Sequence, residues 1–178
     1  MSTDIGTGTV TGERADLLAT LAQSRQFLRY TARDLTDEQA ARRTTVSELT
    51  VGGLIKHVVA TEAHWAAFIV HGPSPADEFA AMTEEDMARR ADDFRLLPGE
   101  TLTGVLAHYA KVAAQTDDLV RSLPTLDVAH PLPAAPWFAP GERWSARRVL
   151  LHIVAETAQH AGHGDIIREA LDGAKSMG

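Results

Sequence analysis

Apolar residues recur at three- and four-residue intervals in four long stretches, and none alternates with the period of two expected of a half-buried strand. The first stretch runs from about Arg14 to Ala32, with Leu17, Leu18, Leu21, Phe27, Leu28 and Tyr30 at its apolar positions. A second, "VGGLIKHVVATEAHWAAFIV", follows Thr50, a suitable N-cap, and reaches Val70 before His71-Gly72-Pro73 stops it. The third spans about Thr101 to Leu123, with Leu102, Val105, Leu106, Tyr109, Val112, Ala113, Leu119 and Val120 inward. The fourth begins near Ser145 and ends at Gly173, where glycine fits the position just past a helix. Thr36 and Thr83 are placed to cap two short helical turns between the long ones.

The connections are uneven. "SPADEFAAMTEEDMARRADDFRLLPGE" is an acidic excursion between the second and third helices, closed by Pro98-Gly99. "PTLDVAHPLPAAPWFAPGERW" precedes the fourth, and its prolines at 124, 131, 133, 136 and 140 remove donors that helix and sheet interiors need. It therefore reads as a long irregular connection. Trp137, Phe138 and Trp144 either anchor it to the helices or give it a binding face. The expected fold is all-α: a four-helix bundle with long crossover connections, covering residues 13–175 as one domain, behind a flexible polar tail at 1–12.

Composition narrows the function. A chain of 178 residues with 44% hydrophobic content can bury a real core. Its formal charge is -7, and its dense basic runs are only the pairs Arg42-Arg43, Arg89-Arg90 and Arg147-Arg148, which argues against nucleic acid as a partner. No apolar run approaches the roughly 20 residues that span a bilayer, and "MSTDIGTGTVTGERADLL" lacks the features of a signal peptide, so a cytoplasmic protein with no membrane partner is expected. There is no cysteine. Any thiol chemistry must use a thiol brought in by a small molecule.

Candidate chemistry lies on the fourth helix, "VLLHIVAETAQHAGHGDIIREALDG". At about 100° per residue, Val149, Ile153, Val154, Ala161, Ile167 and Leu171 form its core face, and His160 falls within that stripe. Glu156 and His163 sit at its edge, and His152 slightly farther out. Glu156 and His160, four apart, project to one point. A carboxylate at a core margin, with no lysine or arginine at 152 or 160, calls for a cation from elsewhere. On the second helix His57 and His64 lie near the edge of the stripe made by Leu54, Val58, Trp65 and Ile69, and one of them can meet the pair across the bundle.

"TVGGLIKHVVATEAHW" followed far downstream by "RWSARRVLLHIVAETAQHAGHGDIIREALDG" resembles the DinB-like superfamily of metal-binding four-helix bundles. The similarity extends from about Glu13 to Gly173 and is nearest the branch holding mycothiol S-transferases and, more distantly, mycothiol-dependent maleylpyruvate isomerase. The resemblance implies a divalent metal on His57, Glu156 and His160, with Glu156 standing where many members have histidine. It also implies roles near the metal for His163 and Asp165, the latter orienting a ligand imidazole. Two histidines and one carboxylate leave open coordination positions, as in catalytic zinc sites; nickel or iron also suit the set. The activity implied is conjugation of a low-molecular-weight thiol, mycothiol, to electrophiles, with detoxification as its purpose and a homodimer as a common assembly. A non-catalytic metal-binding stress protein and a metal-dependent hydrolase are the alternatives.

Overall fold

A computed structural model describes residues 10–74 and 79–176. The expected tail at 1–12 lies almost wholly outside the described residues. Six α-helices follow in order: α1 Glu13–Thr31, α2 Asp37–Ala40, α3 Val51–His71, α4 Glu84–Asp92, α5 Leu102–Ser122 and α6 Ala146–Asp172. The long ones, α1, α3, α5 and α6, make the bundle. α1 packs on α6, and α3 packs on both α5 and α6, so the cyclic order is α1, α6, α3, α5. Two diagonal crossings follow, from α1 to α3 and from α5 to α6. These need the long connections.

The helix ends obey the capping logic of the sequence. Thr50, Thr101 and Ser145 each accept a hydrogen bond from the amide three residues on, at Gly53, Gly104 and Arg148. Thr36 and Thr83 make reciprocal capping boxes with Gln39 and Asp86. Gly173 closes α6 in the left-handed region at φ 78, a conformation that a Cβ disfavours. Asp37 reaches across to accept from the Leu102 amide at 2.7 Å, tying α2 to the start of α5.

Two apolar clusters fill the interior. One gathers Leu28, Leu54, Ile55, Val58, Leu102, Tyr109 and Val112. The other gathers Leu17, Leu21, Trp65, Phe68, Ile69, Val149, Leu150 and Ile153. Val154 and Leu171 are half-buried at the edge of the α6 core face, and Tyr30 is exposed. Glu62 on α3 is fully buried amid the bundle. Arg25 on α1 grips it with two nitrogens, Nε to Oε2 at 3.2 Å and Nη2 to Oε1 at 2.5 Å, and reaches Asp117 on α5 at 2.7 Å. This polar knot joins three helices. Arg168 on α6 donates to the carbonyls of Thr31 and Arg33, where α1 ends.

The proline-rich connection corrects the expectation of an irregular segment. β1, Ala129–Pro131, pairs antiparallel with β2, Arg143–Ser145, in the register Ala129 to Ser145, His130 to Trp144 and Pro131 to Arg143. Three residues per strand are too few to show an alternating pattern, and a two-stranded ribbon tolerates Pro131 because only one side of each strand is paired. The ribbon delivers α6. Val128 and Leu126 carbonyls accept from the Ala146 and Arg147 amides, which satisfies donors that a helix start leaves orphaned.

Candidate metal centre

His57 on α3 meets Glu156 and His160 on α6 in the bundle interior. One donor atom from each of the three lies within 4.8 Å of the other two. His160 Nε2 stands 3.5 Å from Glu156 Oε2, and the His57 and His160 rings meet edge to face at 5.0 Å. Donors on one tetrahedral zinc ion stand roughly 3.4 Å apart, so the three would draw together to hold one. Of the second helix's two histidines, the structure brings His57 to the pair. His64 is exposed and faces the outer cleft.

The protonation states suit a ligand set. Burial pushes the His57 imidazole down to about 4, so it is neutral at pH 7 with a lone pair available. The hydrogen bond with His160 holds the Glu156 carboxyl below its ordinary value, so it is ionised. The neutral His57 imidazole and the Glu156 carboxylate need lose no proton to bind a cation. Among the described residues this is the one group of three such side chains placed to hold an ion. The donors fit a divalent metal.

Each ligand candidate is held from behind. Phe94, at the end of the acidic excursion, stacks on the His57 ring at 3.9 Å and 19°. Thr61 Oγ1 lies 3.4 Å from His57 Nε2. His163 Nδ1 faces His160 Nδ1 at 3.4 Å, close behind a ligand imidazole. His152 Nε2 stands 3.9 Å from the other Glu156 oxygen, and its ring is wedged against Trp65 and Trp144, each at 5.0 Å. Asp165 does not reach a ligand imidazole: both its oxygens accept from Ser176, at 2.7 Å each, because it points along α6 toward the chain's C-terminal turn.

Phe94 reaches His57 because of a glycine. A Cβ on Gly53 would stand 1.9 Å from the Phe94 carbonyl oxygen, so the segment lies on bare α3 backbone. Sequence reasoning passed over both residues. The signal available was the pair Gly52-Gly53 in the first turn of a helix, where such a pair needs a packing reason.

A cleft of about 390 Å³ opens over His57. Trp137 and Phe138 line it, as do Phe94 and Arg90 from the acidic excursion. Trp144 does not: it is buried, stacked on Trp65 at 5.0 Å and 20°, with its indole N–H donated to Glu142. The aromatic residues of the proline-rich connection therefore divide. Trp144 anchors it, while Trp137 and Phe138 face the cleft.

Solved structures that share this architecture include the following two. A conserved protein from Enterococcus faecalis aligns with TM-score 0.68 at 12% identity, over 93% of this chain and 100% of its own. YfiT from Bacillus subtilis, described as a probable metal-dependent hydrolase with an unusual four-helix bundle topology, aligns with TM-score 0.61 at 15% identity, over 94% and 91%. The fold is thus the DinB- and YfiT-like four-helix bundle. No curated protein matches the chain. The sequence profile of the mycothiol S-transferase family does, over residues 16–173, and the chain belongs to that family. Among the described residues no helix is long and apolar enough to cross a membrane.

Proposed function

We propose that this protein is a metal-dependent thiol S-transferase that uses His57, Glu156 and His160 to hold a divalent ion, zinc by preference. The observation that carries the reading is the convergence of those three side chains, from two helices far apart in sequence, in a chain of the mycothiol S-transferase family. A divalent ion at this point supplies one thing, acidification of a thiol, so that sulfur is presented as thiolate at neutral pH. The residues do the rest. Phe94 fixes the plane of His57, His163 backs His160, and the wall of Trp137 and Phe138 limits water near the reacting atoms. The thiol, mycothiol by family, loses its proton to solvent. Its sulfur lone pair forms the new S–C bond, and the leaving group departs with the electrons of the bond to carbon.

Elemental analysis with a thiol-dependent screen tests this. Wild-type protein should hold about one zinc per chain and conjugate mycothiol to a halogenated bimane. His57→Ala, Glu156→Ala and His160→Ala should each lose the metal, whereas His64→Ala should keep it. Full zinc in all three ligand variants sinks the ligand assignment. Turnover without thiol would instead support the hydrolase reading, and metal without turnover of either kind a purely binding role.

A further inference from the structure

The cleft over His57 carries information about what reacts there. The chain has three tryptophans, two tyrosines and five phenylalanines. Two tryptophans and two phenylalanines of that small set, Trp65, Phe94, Trp137 and Phe138, face this single cleft. Trp137 is 60% exposed and packs edge to face on Phe79 at 5.2 Å. An exposed indole propped by another ring is a platform for a flat apolar partner. A cleft of about 390 Å³ lies at the small end of ligand pockets. It has room for a one- or two-ring compound beside the end of a thiol.

Its charge is as telling. Arg90 lines the rim, and no ion pair engages it among the described residues, although its neighbour Arg89 is tied to Glu85 and Asp86. Asp93 lines the same cleft and is attracted by both Arg90 and Lys56, the latter paired with Glu100 at 2.8 Å. Arg90 is the one arginine or lysine lining the cleft, on a protein whose formal charge is -7. Arg90 is exposed at this rim, and a guanidinium there can bind a carboxylate through two parallel hydrogen bonds while its partner's ring covers the apolar wall beside it. We infer that the cleft takes an aromatic compound bearing one acidic group, with its ring against Trp137 and Phe138 and its acid on Arg90. This rests on the reading above for the chemistry, naming the electrophile as an aromatic acid with its reactive carbon turned toward His57, but the binding itself needs no turnover.

Calorimetric titration of the full chain, with zinc and after chelation, tests it. The unreactive probes are 2-naphthoate, 2-naphthalenemethanol and cyclohexanecarboxylate. Naphthoate should bind about 10-fold or more tightly than either, since each tenfold corresponds to one charge-assisted contact or one stacked ring. Arg90→Gln should erase the advantage over the alcohol, and Trp137→Ala the advantage over the aliphatic acid, both with metal content unchanged. Naphthoate binding equal to the alcohol's, or unaltered in Arg90→Gln, overturns the inference. So does binding that vanishes on chelation, because the acid would then be sitting on the metal. Retained naphthoate binding in a protein that conjugates no thiol would sink only the S-transferase reading.

Discussion

Gly53→Ala is a one-methyl change whose sign separates two physical expectations. Gly53 and Gly104 occupy the same place in their helices, three residues after a threonine N-cap whose hydroxyl accepts their amide. Helix propensity alone predicts that alanine stabilises either by roughly 0.5–1 kcal/mol. A Cβ at Gly104 meets only the Thr101 hydroxyl, at 3.0 Å. A Cβ at Gly53 meets the Thr50 hydroxyl at 2.9 Å, and also the Phe94 carbonyl oxygen at 1.9 Å and carbon at 2.4 Å. Contacts below 3.0 Å are essentially never seen, so the Phe94 backbone would have to retreat by about 1.1 Å. Overpacking of this kind costs about 1–3 kcal/mol, more than propensity returns. The same retreat weakens the stack on His57, worth about 0.5–1.5 kcal/mol, and so lowers zinc affinity by roughly 2- to 13-fold. Urea denaturation of the two variants, with zinc affinity by chelator competition, reads both effects. Gly104→Ala should match or exceed wild type in stability, and Gly53→Ala should fall below it on both scales. If Gly53→Ala is as stable as Gly104→Ala and binds zinc equally well, the docked segment does not shape the site.

Arg25→Met should destabilise by about 3–5 kcal/mol, because Glu62, with no side-chain exposure, would be left charged and unpaired. The double variant Arg25→Met/Glu62→Leu should recover much of that loss in chemical denaturation, which a mere cavity would not allow. Ser145→Ala removes the acceptor of the Arg148 amide and should cost about 1 kcal/mol in the same assay. Chelation should lower stability by an amount that grows with the free zinc originally present, about 4 kcal/mol at a thousandfold excess over Kd, read as a fall in Tm. The shift should vanish in His57→Ala; an equal shift there would mean that the stabilising ion sits elsewhere.

The four long helices were legible because each signal is local: an apolar period of 3.6, with a threonine or serine before α3, α5 and α6 and a glycine after α3 and α6. The pair Glu156 and His160 was legible for the same reason, being four apart on one helix. Periodicity did not choose His57 over His64, since both lie at a stripe edge; the family resemblance chose His57, and the packing of α3 on α6 sets it beside the pair. The need of a core charge for a partner is modest at Glu156, whose side chain is 28% exposed. It applies with more force to Glu62, which sits between Val58 and Trp65 on the buried stripe, and to Arg25, between Leu21 and Leu28. Those two spacings held the signal of the polar knot. Phe94 and Arg90 were out of reach for another reason: how an acidic excursion folds back over a helix depends on contacts distant in sequence, which no periodicity encodes.

About a hundred residues of chain separate the histidine of α3 from the ligand pair of α6, and the α5-to-α6 crossing must be made before they meet. A ribosome therefore has to release α3 through α6 before His57, Glu156 and His160 can meet. A chain made only through α5 has His57 without Glu156 and His160, so if these three hold an ion, its capture reports that α3 and α6 have come together.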